Sequence, residues 1–185
     1  MAVANAGTTV IQGALETSDT EWEHSLAVNL SGVFHTLRAA GRAMRAAGAG
    51  GSIIVTGSVC SRRAQHGLSA YTATKHGVLG LVRQLALELA PLGIRVNLLE
   101  PGNVDTPMIN NEPMYRRLPP DLARPGRDDA AVAFARMNAM ETPWVAAEDV
   151  SEAMLWLAGD RARFLTEIEL PVDAGLLLTP GRHEG

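Results

Sequence analysis

Two short apolar runs, SIIVTGS from Ser52 and RVNLLEPG from Arg95, decide most of what this chain can become. Both are compact and rich in Ile, Val and Leu, the composition of a strand buried on both faces. Between them Val78, Leu79, Val82, Leu85, Ala86 and Leu89 recur at helical spacing, which predicts a helix from Tyr71 to Ala90, closed by Pro91 to Gly93. A parallel sheet is implied.

The flanks continue the alternation. MAVAN reads as a short buried strand ending in a tight turn at Ala6-Gly7. Ser18 and Glu21 have the spacing of a capping box, and apolar residues from Trp22 to Met44 predict a long helix broken near Asn29 and stopped by the glycines of AGAGG. Residues 107 to 143, rich in proline, read as an irregular excursion with short helices, one of them around Ala130 to Met140. Such a connection is expected to be a lid or binding loop. A helix over Glu148 to Gly159 and a strand in IELPVDAG follow, before a Gly- and Pro-containing tail. One domain over residues 1 to 185 is expected, with an α/β fold. Parallel sheets of this kind bind ligands beyond the carboxyl ends of their strands, where Asn5 to Gly7, Gly57 and Ser58, and Pro101 to Thr106 fall.

Composition narrows the partners. At 46% hydrophobic and 19% charged the chain can bury a sizeable core, while a net charge of -4 gives no footprint for nucleic acid. No run of 18 apolar residues spans a membrane. The start MAVANAGTTV lacks the features of a secretory signal, and the one cysteine, Cys60, can form no intrachain disulfide, so a reducing cytoplasm is expected. Small molecules and other subunits remain as partners.

Of 16 basic residues, only Lys75 is lysine. A compact ammonium whose pKa neighbours can move invites a chemical role in a chain that otherwise uses arginine. Tyr71 lies four residues earlier, on the same helix face; with two tyrosines in 185 residues, that spacing arises by chance about 1% of the time. The ammonium and the helix N-terminus should stabilise a phenolate, drawing the Tyr71 pKa down from about 10 toward the working range. Tyr71 would then exchange a proton with an alcohol or a carbonyl. Ser58, at a strand end 13 residues before Tyr71, is placed to hydrogen-bond the reacting oxygen. In PGNVDT, Pro101 and Gly102 turn the chain and Thr106 offers a hydroxyl. Nothing in this set calls for a metal.

Ser58, Tyr71-x-x-x-Lys75, PGNVDTPM from Pro101 to Met108 and ANAG from Ala4 to Gly7 together resemble the short-chain dehydrogenases/reductases, in order and spacing. The resemblance implies the C-terminal part of a Rossmann-like doubly wound parallel sheet with helices on both faces. It also implies an NAD(P)-dependent oxidoreductase that interconverts a secondary alcohol and a ketone. By the same resemblance Asn29 is the fourth catalytic member and its helix break holds a water beside Lys75. Lys75 and Tyr71 then meet the nicotinamide ribose, Asn5, Ala6 and Gly7 lie near the adenosine side, and Pro101, Gly102, Val104 and Thr106 serve the carboxamide end. The segments from MINNEPMYRR and from MNAMETPW onward are similar to the mycofactocin-coupled subgroup, which includes carveol-dehydrogenase-like enzymes. That subgroup implies bound NAD, an apolar alcohol and assembly as a homotetramer or dimer. An apolar lid would come from Met108, Ile109, Met114, Phe134, Met137, Met140 and Trp144.

Full members of that family open with a strand, a TGxxxGxG turn and a helix that receives the pyrophosphate, and no such segment stands in this sequence. The residue that selects NAD over NADP belongs to the same segment. The expectation is therefore a chain missing two βαβ units, of roughly 30 or more residues each, with weakened cofactor binding. The alternative is a catalytically silent fragment that serves as an oligomerisation module through residues 22 to 47 and 71 to 90.

Overall fold

Ile53, Ile54 and Val55 are consecutive in sequence and all without solvent exposure, which a strand allows only when both of its faces are covered. They form the middle of β2 (Gly51–Thr56), flanked by β1 (Ala2–Ala4) and β3 (Ile94–Pro101), with β4 (Glu169–Val172) beyond β3. The computed structural model describes residues 1–117 and 122–179. All pairings are parallel in the order β1-β2-β3-β4, with Val3 opposite Ile54, Ile54 opposite Asn97 and Leu99 opposite Leu170. The four carboxyl ends therefore open on one side.

The alternation of side chains along the strands divides the core. Ile53, Val55, Val96 and Leu98 face α3 (Ser69–Leu89), whose Val78, Val82 and Ala86 repeat every four residues, together with Val33 and Leu37 of the long N-terminal helix. Ile54 and Leu99 face the opposite way, onto Leu157 of α6 (Ala147–Ala158). Helices thus cover both faces, giving the Rossmann-like arrangement expected from the sequence.

The N-terminal helix is one rod in three parts: α1 (Asp19–Leu26), a π turn (Ala27–Ser31) and α2 (Gly32–Ala47). Ser18 caps it through the reciprocal box with Glu21, as the spacing predicted. Gly48 ends it at φ 68°, in the left-handed region that a side chain disfavours. Other boundaries move slightly from expectation. β2 ends at Thr56 rather than Ser58, and the helix expected at Ala130 to Met140 is α5 (Arg127–Met137), preceded by α4 (Glu112–Arg117). In this excursion Met114, Ala130 and Phe134 form a small core with Ile109, Met137 and Trp144 packed on it. Met108 and Met140, grouped with these in the sequence, are instead 39% and 73% exposed, since each sits in a turn outside α4 and α5.

Candidate active site

The site begins where β2 stops. Gly57 donates its N–H to the Leu99 carbonyl at 2.7 Å, but a Cβ there would stand 2.9 Å from Leu98 Cδ1 and 3.0 Å from that same carbonyl. Only glycine lets the chain pass so close to β3. Ser58 follows as the cap of a short 3-10 turn, Val59–Ser61: its Oγ accepts from the Cys60 N–H at 3.1 Å and its N–H donates to Ser61 Oγ at 3.2 Å. Arg62 pins this turn to the sheet. Its Nε lies 2.7 Å from Glu100 Oε2, and its Nη2 donates to the Glu169 carbonyl at 2.9 Å and meets the Glu169 carboxylate at 3.1 Å. Glu100 has no exposure at all, so it depends on that guanidinium.

Tyr71 enters in the first turn of α3, and Lys75 follows one turn later with Nζ 5.4 Å from the tyrosine ring centroid. The ammonium is 3% exposed and donates to the Thr56 carbonyl at 2.8 Å, while the Thr56 hydroxyl donates to Asn5 Oδ1 at 2.8 Å. Asn29 sits in the π turn, fully buried. Its amide donates to the Thr8 carbonyl at 2.9 Å and to Thr74 Oγ1 at 3.3 Å, and its Oδ1 accepts the Thr8 N–H at 2.8 Å. Gly7 lies between them, since a Cβ there would be 3.4 Å from Asn29 Oδ1 and 4.0 Å from Lys75 Nζ. Ser58, Tyr71, Lys75, Asn29, Asn5 and Gly7 therefore converge, with Ala6 exposed between Asn5 and Gly7.

Pro101, Gly102, Val104 and Thr106 lie on the same side of the sheet but are tied elsewhere. Gly102 donates to the Val172 carbonyl at 3.1 Å, and a Cβ on it would stand 2.8 Å from Asp173 Cα. Val104 bridges to Val145, and the Thr106 hydroxyl donates to the Val104 carbonyl at 3.3 Å. Thr74 and the Thr56 carbonyl are connectors that the sequence did not signal: one is an unremarked helix residue, the other a backbone group. Cys60, buried beside Ser58, has its thiol pushed up by burial.

Electrostatics correct one expectation. Burial pushes the Tyr71 phenol up to about 12, although the Ser58 hydroxyl pulls the other way. The same burial draws Lys75 down to about 8. The ammonium sits over the ring and is spent on the Thr56 carbonyl, so it does not offset the loss of water around the phenol. Tyr71 is a held proton at neutral pH.

The site fits the ribose of a nicotinamide nucleotide. Lys75 has three N–H donors, one of which meets Thr56 O, and Gly7 leaves a side-chain-free approach to it. Among the described residues no three His, Cys, Asp or Glu side chains cluster as metal ligands would.

A Rossmann-like sheet with a Tyr-x-x-x-Lys pair at its carboxyl edge defines a class of nucleotide-binding α/β proteins. Within that class the chain belongs to the short-chain dehydrogenase/reductase family: residues 1–177 match the family described as enoyl-(acyl carrier protein) reductase. A (-)-trans-carveol dehydrogenase of Rhodococcus erythropolis is 46% identical over 160 residues, 86% of this chain and 58% of the relative. The crystal structure of a carveol dehydrogenase from Mycobacterium avium in complex with NAD superposes with a TM-score of 0.92 at 44% identity, covering 96% of this chain and 64% of that one. An acetoin dehydrogenase from Salmonella typhimurium gives a TM-score of 0.80 at 29% identity, over 97% and 65% of the two chains. The chain thus spans about three fifths of the length of these relatives.

Proposed function

We propose that this chain carries the proton-transfer part of an NAD-dependent oxidoreductase that interconverts a secondary alcohol and its ketone. The observation that carries the reading is the convergence of Tyr71, Lys75 and Ser58 where β2 gives way to α3. In the reductive direction Tyr71 gives its phenolic proton to the carbonyl oxygen, and Ser58 holds that oxygen by a hydrogen bond. In the oxidative direction Tyr71 must first give up its own phenolic proton, and as the phenolate it then takes the hydroxyl proton. Lys75, whose proton moves at about 8, is the nearer reservoir, and Asn29 with Thr8 and Thr74 fixes the π turn beside it.

Lys75 and Tyr71 would hold the nicotinamide ribose, Asn5, Ala6 and Gly7 would line the adenosine side, and Pro101, Gly102, Val104 and Thr106 would receive the carboxamide. Bound there, a nicotinamide supplies the hydride acceptor, or the donor in reverse. The choice of NAD rests on the Mycobacterium avium relative.

The excursion over residues 107 to 143 is proposed as the substrate lid, closing an apolar space through Met114, Phe134 and Met137. An apolar, carveol-like alcohol fits that lining, and the likeness of the same segment supports coupling to mycofactocin. Assembly as a homo-oligomer, a tetramer or dimer, is proposed through α2 and α3, where Phe34, Leu81 and Leu85 line an open groove. A reducing cytoplasm is the proposed setting, on the strength of a single free cysteine.

NADH formation by the natural-length protein with a panel of cyclic secondary alcohols tests the reading, with calorimetric titration of NAD beside it. Turnover that disappears in Tyr71→Phe while NAD still binds is the expected result. Absence of both turnover and NAD binding in the intact protein would overturn it.

A further inference from the structure

Ser58 is held from both sides by consecutive residues of one strand. Before it, the Gly57 N–H donates to the Leu99 carbonyl at 2.7 Å; after it, Arg62 Nε lies 2.7 Å from the Glu100 carboxylate. The link between these two anchors is short. The Arg62 N–H donates to the Val59 carbonyl at 3.1 Å, the Ser61 N–H to the Ser58 carbonyl at 2.8 Å, and the Cys60 N–H to Ser58 Oγ at 3.1 Å. A guanidinium fixed at the end of this single turn therefore fixes the hydroxyl at its beginning.

The same guanidinium is tied to the helix that carries Tyr71. Its Nη2 meets Glu169 Oε2 at 3.1 Å, while Glu169 Oε1 accepts from Arg83 Nε and Nη2 at 3.0 and 2.7 Å. Arg83 lies on α3, about three turns beyond Tyr71, so one carboxylate joins the turn of Ser58 to the helix of Tyr71. Burial pushes the Tyr71 phenol up and the Ser58 hydroxyl opposes it, so these two groups already act on each other.

Stability alone does not call for this arrangement. Glu100 has no exposure, and a carboxylate that deep gives up hydration that its ion pair does little more than repay, whereas an apolar residue of similar size would cover the strand at no such cost. What an apolar residue lacks is direction. Apolar burial tolerates small displacements of the chain, and a guanidinium shared by two carboxylates tolerates few.

We propose that Arg62, clasped by Glu100 and Glu169, is a positioning residue that sets Ser58 Oγ in its working place beside Tyr71. This rests on the reading of Ser58 and Tyr71 as the groups that handle the reacting oxygen. Arg62 acts on the reaction through Ser58, without touching substrate or cofactor.

The test follows oxidation of cyclohexanol by the natural-length protein saturated with NAD, with denaturant midpoints beside it. Arg62→Met combined with Glu100→Met removes both charges together, so no buried charge is stranded and the midpoint should hold. Its kcat should fall by about tenfold to a hundredfold, as a displaced hydroxyl requires, with NAD affinity unchanged. Arg62→Lys, whose single ammonium cannot span both carboxylates, should fall part of the way, and it carries the same comparison if the paired variant does not fold. In a Ser58→Ala background the paired change should cost less than about twofold, because the group it positions is already gone. An unchanged kcat in the folded variants, or the same fall with and without Ser58, would overturn the proposal. Exchange of the Cys60 amide hydrogen gives a readout independent of turnover: it should quicken by about tenfold in the paired variant, while that of Ile54 in β2 stays slow. A wild type without turnover sinks the proposed reaction, and the Cys60 amide then decides alone whether Arg62 fixes Ser58, with unchanged exchange counting against it.

Discussion

The floor of the site and the excursion above it are built by opposite means. Ser58, Tyr71 and Lys75 are fixed by backbone: a strand end, a glycine that touches β3, a 3-10 turn and the first two turns of a helix. The excursion has a core of a few side chains, Met114, Ala130 and Phe134, and is fastened by contacts between exposed groups. Arg127 meets Asp105 through bonds of 2.8 and 3.0 Å and lies 4.5 Å from the centre of the Trp144 ring. The floor is therefore positioned to ångström tolerance by the fold itself, whereas the excursion can be changed without disturbing the sheet. Chemistry that must not vary sits on the first, and selection among substrates suits the second.

The sharpest break between the two regions is expected from Tyr71→Phe, which removes the transferable proton and almost no volume. Turnover of the natural-length protein should fall by about 10²–10⁴-fold with NAD affinity unchanged. Retention of more than about a tenth of the rate would show that the floor is not where the proton moves.

Lys75→Met tests the cost of burying the ammonium. The folded-state pKa of Lys75 is about 8, below its usual 10.5, so the unfolded chain binds more protons between those values and stability rises with pH across that window. The contribution is complete above about 10.5, is lost as pH falls through about 8, and amounts to up to about 3 kcal/mol. Denaturant midpoints from pH 7 to 10 should climb in the wild type relative to Lys75→Met, in which the raised Cys60 thiol alone is left to lower stability toward pH 10. Parallel curves would mean that Lys75 is solvated. Above about pH 10 Tyr71 works in the other direction, because its raised pKa favours the folded state only while the phenol stays protonated.

Arg62→Met probes what holds the floor down. It strands Glu100 without its counter-charge, at an expected cost of about 2 kcal/mol near neutrality. Burial already raises the Glu100 pKa, so the folded variant keeps the proton more readily than the unfolded chain and the cost should shrink toward acid. Equal destabilisation at both ends of the range would point to lost packing alone. The smallest effect belongs to the excursion: Phe134→Ala should raise KM for apolar alcohols by up to about tenfold and leave NAD affinity and the chemical step alone. A comparable loss in kcat would mean that the two regions are not separable.

The sequence was most legible where backbone periodicity carries the information. The doubly buried strands, α3 and the Ser18 box follow from local pattern, and the lone lysine one turn after a tyrosine exposed the floor. Asn29 was flagged by family likeness and a helix break, but its bonds to Thr8 and Thr74 join residues 21 and 45 positions apart, which no local pattern encodes. The direction of the Tyr71 shift was misjudged for a similar reason. Charge and dipole are visible in a sequence, whereas the water stripped from the phenol depends on what packs around it.

The π turn has a consequence for the whole rod that carries it. Ser25, Asn29, Val33, Leu37 and Gly41 are its buried positions, a strict step of four. In an ordinary α-helix every such step overshoots a full circle by about 40°, so a line of fours winds steadily off the surface it should face. The five wider residues at Ala27–Ser31 turn more slowly and take part of that overshoot back. One surplus residue thus acts as an angular correction, keeping Ser25 and Gly41 in line with the core on either side of Asn29.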